Sequence, residues 1–137
     1  METQKQLKRQ EDRAASMCAP KCLSELLRRR GKTVSVEALA KEMKTDENGT
    51  SLLALSDAAK KRGFHPQGLK VTEAGLRQQF LPAVAFLGPG HFVLVEKITP
   101  SRIYVWDPST SENGKPSAKD YSLLEWKRSW GGVVLTL

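Results

Sequence analysis

The spacing of apolar residues changes period partway along the chain, and that change limits the folds open to it. Up to Gly63 they recur three and four residues apart: Leu23, Leu26 and Leu27, then Val36, Leu39 and Ala40, then Leu52, Leu55 and Ala59. This spacing lines one side of a helix. Beyond Gly63 they come in short runs at 83–87, 91–95, 103–106 and 133–135, separated by glycine, proline and polar residues. Such runs are strand signals, and their close succession favours antiparallel neighbours. Helices first and strands after predict an α+β fold, with N-terminal helices packed on a C-terminal antiparallel sheet. A length of 137 residues suits one hydrophobic core. Residues 1–137 therefore read as a single domain: a polar lead-in at 1–15, a helical half at 16–63 and a mainly sheet half at 64–137.

Local signals sharpen the outline. Pro20 lacks an amide hydrogen and belongs in a first helical turn, so the first helix begins near Met17 or Cys18, capped by Ser16 or Met17. Gly31 closes it. Ser35 is the N-cap candidate of a second helix running to Met43, and a third opens near Thr50 or Ser51 and ends at Gly63. Residues 64–71 suggest a strand. Thr72 caps a short helix with Leu76 and Phe80 turned inward. Residues 88–90 form a turn, 109–120 a polar loop, and 123–126 a brief helical turn. Trp126 and Trp130 close the C-terminal core, Trp106 packs inward and His65 lies at the surface.

Lys and Arg number 22 against 15 Asp and Glu, a net charge of +7. A basic balance raises nucleic acid as a partner. The only tight cationic clusters, at 28–32 and 60–62, each close a helix, where they oppose the negative end of its dipole. The reading is therefore no nucleic acid. The opening residues are polar, so no secretory signal is expected, and no run approaches the ~18 apolar residues of a membrane span. Two cysteines make no disulfide framework. A reducing, cytoplasmic setting and no membrane insertion follow.

Three residues carry chemistry: Cys18 at a helix start, His91 opening one strand and Asp107 closing the next. A helix N-terminus lowers a thiol pKa. An imidazole can take the thiol proton, and a carboxylate can orient that imidazole. If the two strands form a hairpin turning near 99–102, His91 and Asp107 meet at its open end. Each also has a structural explanation: a small buried hydrophobe, a strand-start histidine and an Asp-Pro turn. A metal reading competes, since Cys18 and Cys22 share one helix side, but no closing pair of ligands is in sight. Neither metal nor organic cofactor is expected.

Several segments together resemble the bacteriocin-processing, double-glycine-leader cysteine peptidase domain, a papain-like unit at the N-terminus of certain ABC exporters. They are 18–23 with Gly31 (CAPKCL), 49–52 with Gly63 and Phe64, 81–85, 90–95 (GHFVLV), 104–108 (YVWDP) and 130–135 (WGGVVL). The resemblance spans nearly the whole chain. It implies a papain-like fold and a Cys18–His91–Asp107 triad that cuts leader peptides after Gly-Gly. It also implies a leader-bearing peptide substrate and an ABC exporter membrane domain as partners, at the cytoplasmic face of the membrane. The family's oxyanion glutamine lies six residues before the nucleophile, where this chain has Asp12. Gln10 is the nearest alternative, ahead of Gln6 and Gln4. The resemblance therefore leaves two outcomes: an active peptidase, or a docking domain that binds export substrates without cutting.

Overall fold

Helix α1 spans Cys18–Arg29, α2 Val36–Glu42 and α3 Leu52–Lys61 in a computed structural model that describes residues 17–88, 91–112 and 115–137. Their ends follow from local chemistry. The Ser35 hydroxyl accepts the Ala38 N–H at 3.1 Å, and the Ser51 hydroxyl accepts that of Ala54 at 3.0 Å. Caps of this kind contribute about 1 kcal/mol each. At the other end of α1, Gly31 takes φ +79°, a conformation open to glycine. Its N–H reaches Arg28 O at 3.0 Å and that of Lys32 reaches Leu27 O at 2.9 Å, the paired bonds of a Schellman ending. Gly63 and Phe64 end α3 in the same way, on Lys60 O and Ala59 O.

The cationic clusters sit where the dipole argument puts them. Arg28 and Arg29 pair with Glu25, and Arg29 also reaches Glu96. Arg30 lies over the Phe64 ring, 3.9 Å from its centroid. Glu42 takes Lys61 and Arg62.

Six strands follow: β1 Gln67–Lys70, β2 Ala83–Gly88, β3 His91–Ile98, β4 Arg102–Glu112, β5 Lys115–Ser122 and β6 Val133–Thr136. They form one sheet in the order β1-β6-β2-β3-β4-β5, antiparallel throughout. Short helices α4, Glu73–Arg77, and α5, Leu123–Ser129, complete the order. Alternation along the strands makes two cores. Val84, Phe92, Leu94 and Leu135 join α1, α2 and α3 on one face. Ala85, Val93, Val95, Val105 and Val134 gather with Leu76 of α4 and Trp126 of α5 on the other. Trp126 and Trp130 stack there, ring centroids 5.5 Å apart. The chain is thus α+β with its early helices on an antiparallel sheet, and that sheet is covered on its second face as well.

Three expectations are corrected. Residues 109–120 are not a loop: β4 runs on through Glu112, and β5 begins at Lys115. A register shift between Asp107 and Ser111 breaks the pattern there, and β5 is an edge strand with exposed Lys119 and Asp120. Charged residues and proline on an edge discourage further pairing and erase the apolar alternation. Phe80 does not turn inward. Helix α4 stops at Arg77, before its period could carry Phe80 beneath Leu76, and the ring is 92% exposed. The strand expected over 64–71 is confined to Gln67–Lys70. Trp106 packs partly buried against the helix-side core, and His65 is exposed, both as expected. Ser16, the alternative cap of α1, and most of the turn at 88–90 lie outside the described residues.

Candidate active site

The β3–β4 hairpin turns where Thr99 N–H meets Arg102 O at 2.9 Å. His91 and Asp107 lie at its other, open end. The Nε2 of His91 stands 3.2 Å from each carboxylate oxygen of Asp107. The imidazole keeps a third of its side-chain surface in solvent, whereas the carboxylate has none. Ser109, one β4 residue beyond Pro108, adds three contacts. Its N–H and O–H donate to Asp107 Oδ1 at 2.9 and 2.7 Å, and its hydroxyl oxygen is 3.3 Å from Nε2.

Helix α1 packs on β3 and β4 and brings its first residue, Cys18, to this end of the sheet. Met17 is the N-cap and makes no side-chain capping bond. The backbone of Phe92, next to His91, lies within reach of the Cys18 sulfur and exerts a lowering pull on its thiol pKa. One helical turn on, the Cys22 thiol faces Phe92 O at 3.6 Å. Both cysteines thus sit against the same residue of β3. Both cysteines are free and wholly buried.

Burial dominates the electrostatics of the thiols. It pushes Cys18 up to about 11, against a lowering pull from the Phe92 backbone; the Asp107 charge adds to the rise and Lys21 opposes it. A helix-start position was expected to lower this thiol, and desolvation outweighs it. Burial also pushes Cys22 well above the ordinary thiol value, with the Cys18 and Asp107 charges adding to it. For Asp107 the balance runs the other way. Burial favours the neutral acid, but the bonds from His91 and Ser109 together prevail and hold the carboxyl below its usual range.

An apolar cleft of about 510 Å³ is lined by Asn48, Gly49, Thr50, Ser51, Leu52, Phe86 and Val133. Phe86 connects it to the site, since its ring lies 5.3 Å from that of Phe92. Among the described residues, no three His, Cys, Asp or Glu side chains gather so as to hold a metal ion. Of the residues singled out by sequence, His91 and Asp107 meet directly and Cys18 lies beside the same strand. Gln10, Asp12, Gln6 and Gln4 are outside the described residues. Ser109 was missed by sequence reasoning. The available signal was the acceptance of its N–H by Asp107 two residues earlier, the Asx-turn bond that an Asp-Pro-Ser segment favours.

A thiol at a helix start, facing the open end of an antiparallel hairpin with a His–Asp pair, fits the papain-like class of folds. The peptidase C39 family profile matches residues 5–137, and the chain belongs to that family. The peptidase domain of Streptococcus ComA, a bifunctional ABC transporter of a quorum-sensing pathway, superimposes with a TM-score of 0.74. It is 22% identical, over 88% of this chain and 89% of that one. A double-glycine-motif protease from an AMS/PCAT transporter, solved in complex with its leader peptide, gives 0.76 at 21% identity, over 87% and 81%. In sequence, an uncharacterized protein of Methanothermobacter marburgensis is 29% identical over 92 residues, covering 67% of this chain and 65% of its own. The lactococcin-G-processing and transport ATP-binding protein LagD of Lactococcus lactis is 24% identical over 124 residues. That match takes in 86% of this chain and only 17% of LagD. No described helix is long and apolar enough to cross a membrane.

Proposed function

We propose that the chain acts as a cysteine endopeptidase that cuts leader peptides after a Gly-Gly pair, in the service of peptide export. The observation that carries this is the His91–Asp107 pair at 3.2 Å beside the strand that Cys18 contacts. With Nε2 given to Asp107, the acceptor nitrogen of a neutral His91 is Nδ1. The Cys18 thiol passes its proton to that nitrogen and the sulfur attacks the carbonyl of the second glycine. The resulting imidazolium returns the proton to the leaving amine, and water releases the leader from the thioester. Burial alone would keep Cys18 neutral at physiological pH, so His91 is what makes it a nucleophile.

The Cys18 N–H supplies one oxyanion donor, and Gln10 is the candidate for the second. A Gly-Gly pair brings no side chain to the buried Cys18, which favours it at the cleavage point. The apolar cleft at Leu52 and Phe86 suits a leader's apolar side chains. Membership of the family, the leader-bound relative and LagD all support this substrate class and an exporter context at the cytoplasmic face of a membrane. On this reading residues 1–137 work as one peptidase domain.

A docking domain that binds leaders without cutting is the second reading. Asp12 at the oxyanion position favours it, because losing one such donor costs about 10²–10³ in rate. The experiment is to incubate the chain, under reducing conditions, with synthetic leaders spanning a Gly-Gly site, and to read products by mass. Cleavage after the second glycine by wild type and not by Cys18→Ala is expected. Leaders bound but left whole would establish the docking reading instead.

A further inference from the structure

We propose that Ser109 is a positioning residue for the His91–Asp107 pair: it occupies one carboxylate oxygen so that the imidazole is held by the other. The inference rests on the peptidase reading above. The Nε2 of His91 is equally far, 3.2 Å, from Oδ1 and Oδ2. Ser109 breaks that symmetry. Both its N–H, at 2.9 Å, and its O–H, at 2.7 Å, end on Oδ1. A carboxylate oxygen offers about two lone-pair directions, so two donors fill Oδ1 and the Nε2–H is steered to Oδ2. The hydroxyl oxygen also stands 3.3 Å from Nε2, which limits how far the ring can swing toward Oδ1. Fixing the proton on Nε2 leaves Nδ1 as the acceptor for a thiol. Ser109 itself touches no reacting atom in this scheme; it acts through Asp107.

Besides Ser109, the groups around Asp107 among the described residues include several from neighbouring elements. His91 approaches from β3, and Cys18 and Cys22 feel its charge from α1. Ser117 is its register partner on β5. Lys21 and Arg29 act on the thiols. Within this set Ser109 supplies two of the bonds that keep Asp107 ionised.

Iodoacetamide labelling from about pH 5 to about pH 9 tests this. Tryptic cleavage after Lys21 puts Cys18 and Cys22 on separate peptides, so each is read alone. Cys22 sits one helical turn further along α1, its thiol on Phe92 O and held well above its ordinary pKa, so it should stay unlabelled in any variant that keeps its fold. Ser109→Ala should slow Cys18 labelling at neutral pH about tenfold, the scale of a lost bond to a charged group. Its acid limb should move to higher pH, because Asp107 loses the hydroxyl bond that helps hold its carboxyl low while keeping the one from the N–H. Ser109→Thr keeps the hydroxyl and should keep the wild-type profile. The proposal is overturned if the Ser109→Ala profile superimposes on wild type, or if Ser109→Thr is as impaired as Ser109→Ala. A wild-type profile identical to that of His91→Ala would remove the peptidase reading itself, and this proposal with it.

Discussion

On the helix side of the site two thiols lie wholly buried, while on the strand side an imidazole stands partly in water over a wholly buried carboxylate. The same low-polarity surroundings act on both sides with opposite results. Cys18 and Cys22 find little to offset desolvation, and their thiols are pushed up. Asp107 is buried as deeply by surface area, yet the bonds from His91 and Ser109 keep it below its usual range. Burial by itself therefore does not decide ionisation here; the donors within reach do.

Removing the base gives the largest effect. His91→Ala should lower kcat on a Gly-Gly peptide about a thousandfold with KM little changed, since general-base steps contribute 10²–10⁴ in rate. Steady-state assays check this, and a falling affinity at unchanged kcat would point to docking. Asp107→Asn comes next. It keeps an acceptor for the Nε2–H but not the charge, and about a tenfold loss in kcat is expected, with Asp107→Ala clearly worse.

The smallest effect separates Cys22 from Cys18. The folded state holds the Cys22 thiol well above its ordinary value, so the unfolded chain ionises first. The stability this gives is complete below the ordinary thiol pKa of about 8.5 and is lost as pH rises beyond it. Urea unfolding should show wild type weakening between about pH 8 and pH 10, and Cys22→Ala weakening less over that window. Equal slopes would mean that Cys22 keeps no proton the unfolded chain gives up.

Legibility in the sequence followed the range of the interaction. Ser35, Ser51 and Thr72 as caps, and Gly31 and Gly63 as helix ends, depend on bonds within a few residues, so their patterns are visible in one dimension. The meeting of His91 and Asp107 was legible for the same reason, because a hairpin makes separated residues neighbours. What was hidden depended on context. The β5 edge strand has no apolar alternation to reveal it. Its continuation into α5 did carry a signal: Ser122 and Glu125 form a capping box in the S-x-x-E pattern. The rise in the Cys18 pKa could not be read from its helix-start position, because desolvation comes from the sheet packed against it. Ser109 was hidden by a local explanation that is also true, since Asp107 makes its turn bond and holds His91 with the same carboxylate.

The central claim is that His91 makes a nucleophile of a thiol that burial would keep neutral. The most direct measurement is the rate of Cys18 alkylation against pH in wild type and in His91→Ala, with Cys22 read separately as the mark of an intact fold. The account predicts that wild type reacts at neutral pH and that His91→Ala reacts appreciably only as pH climbs toward about 11. Superimposable profiles in the two folded proteins would contradict it.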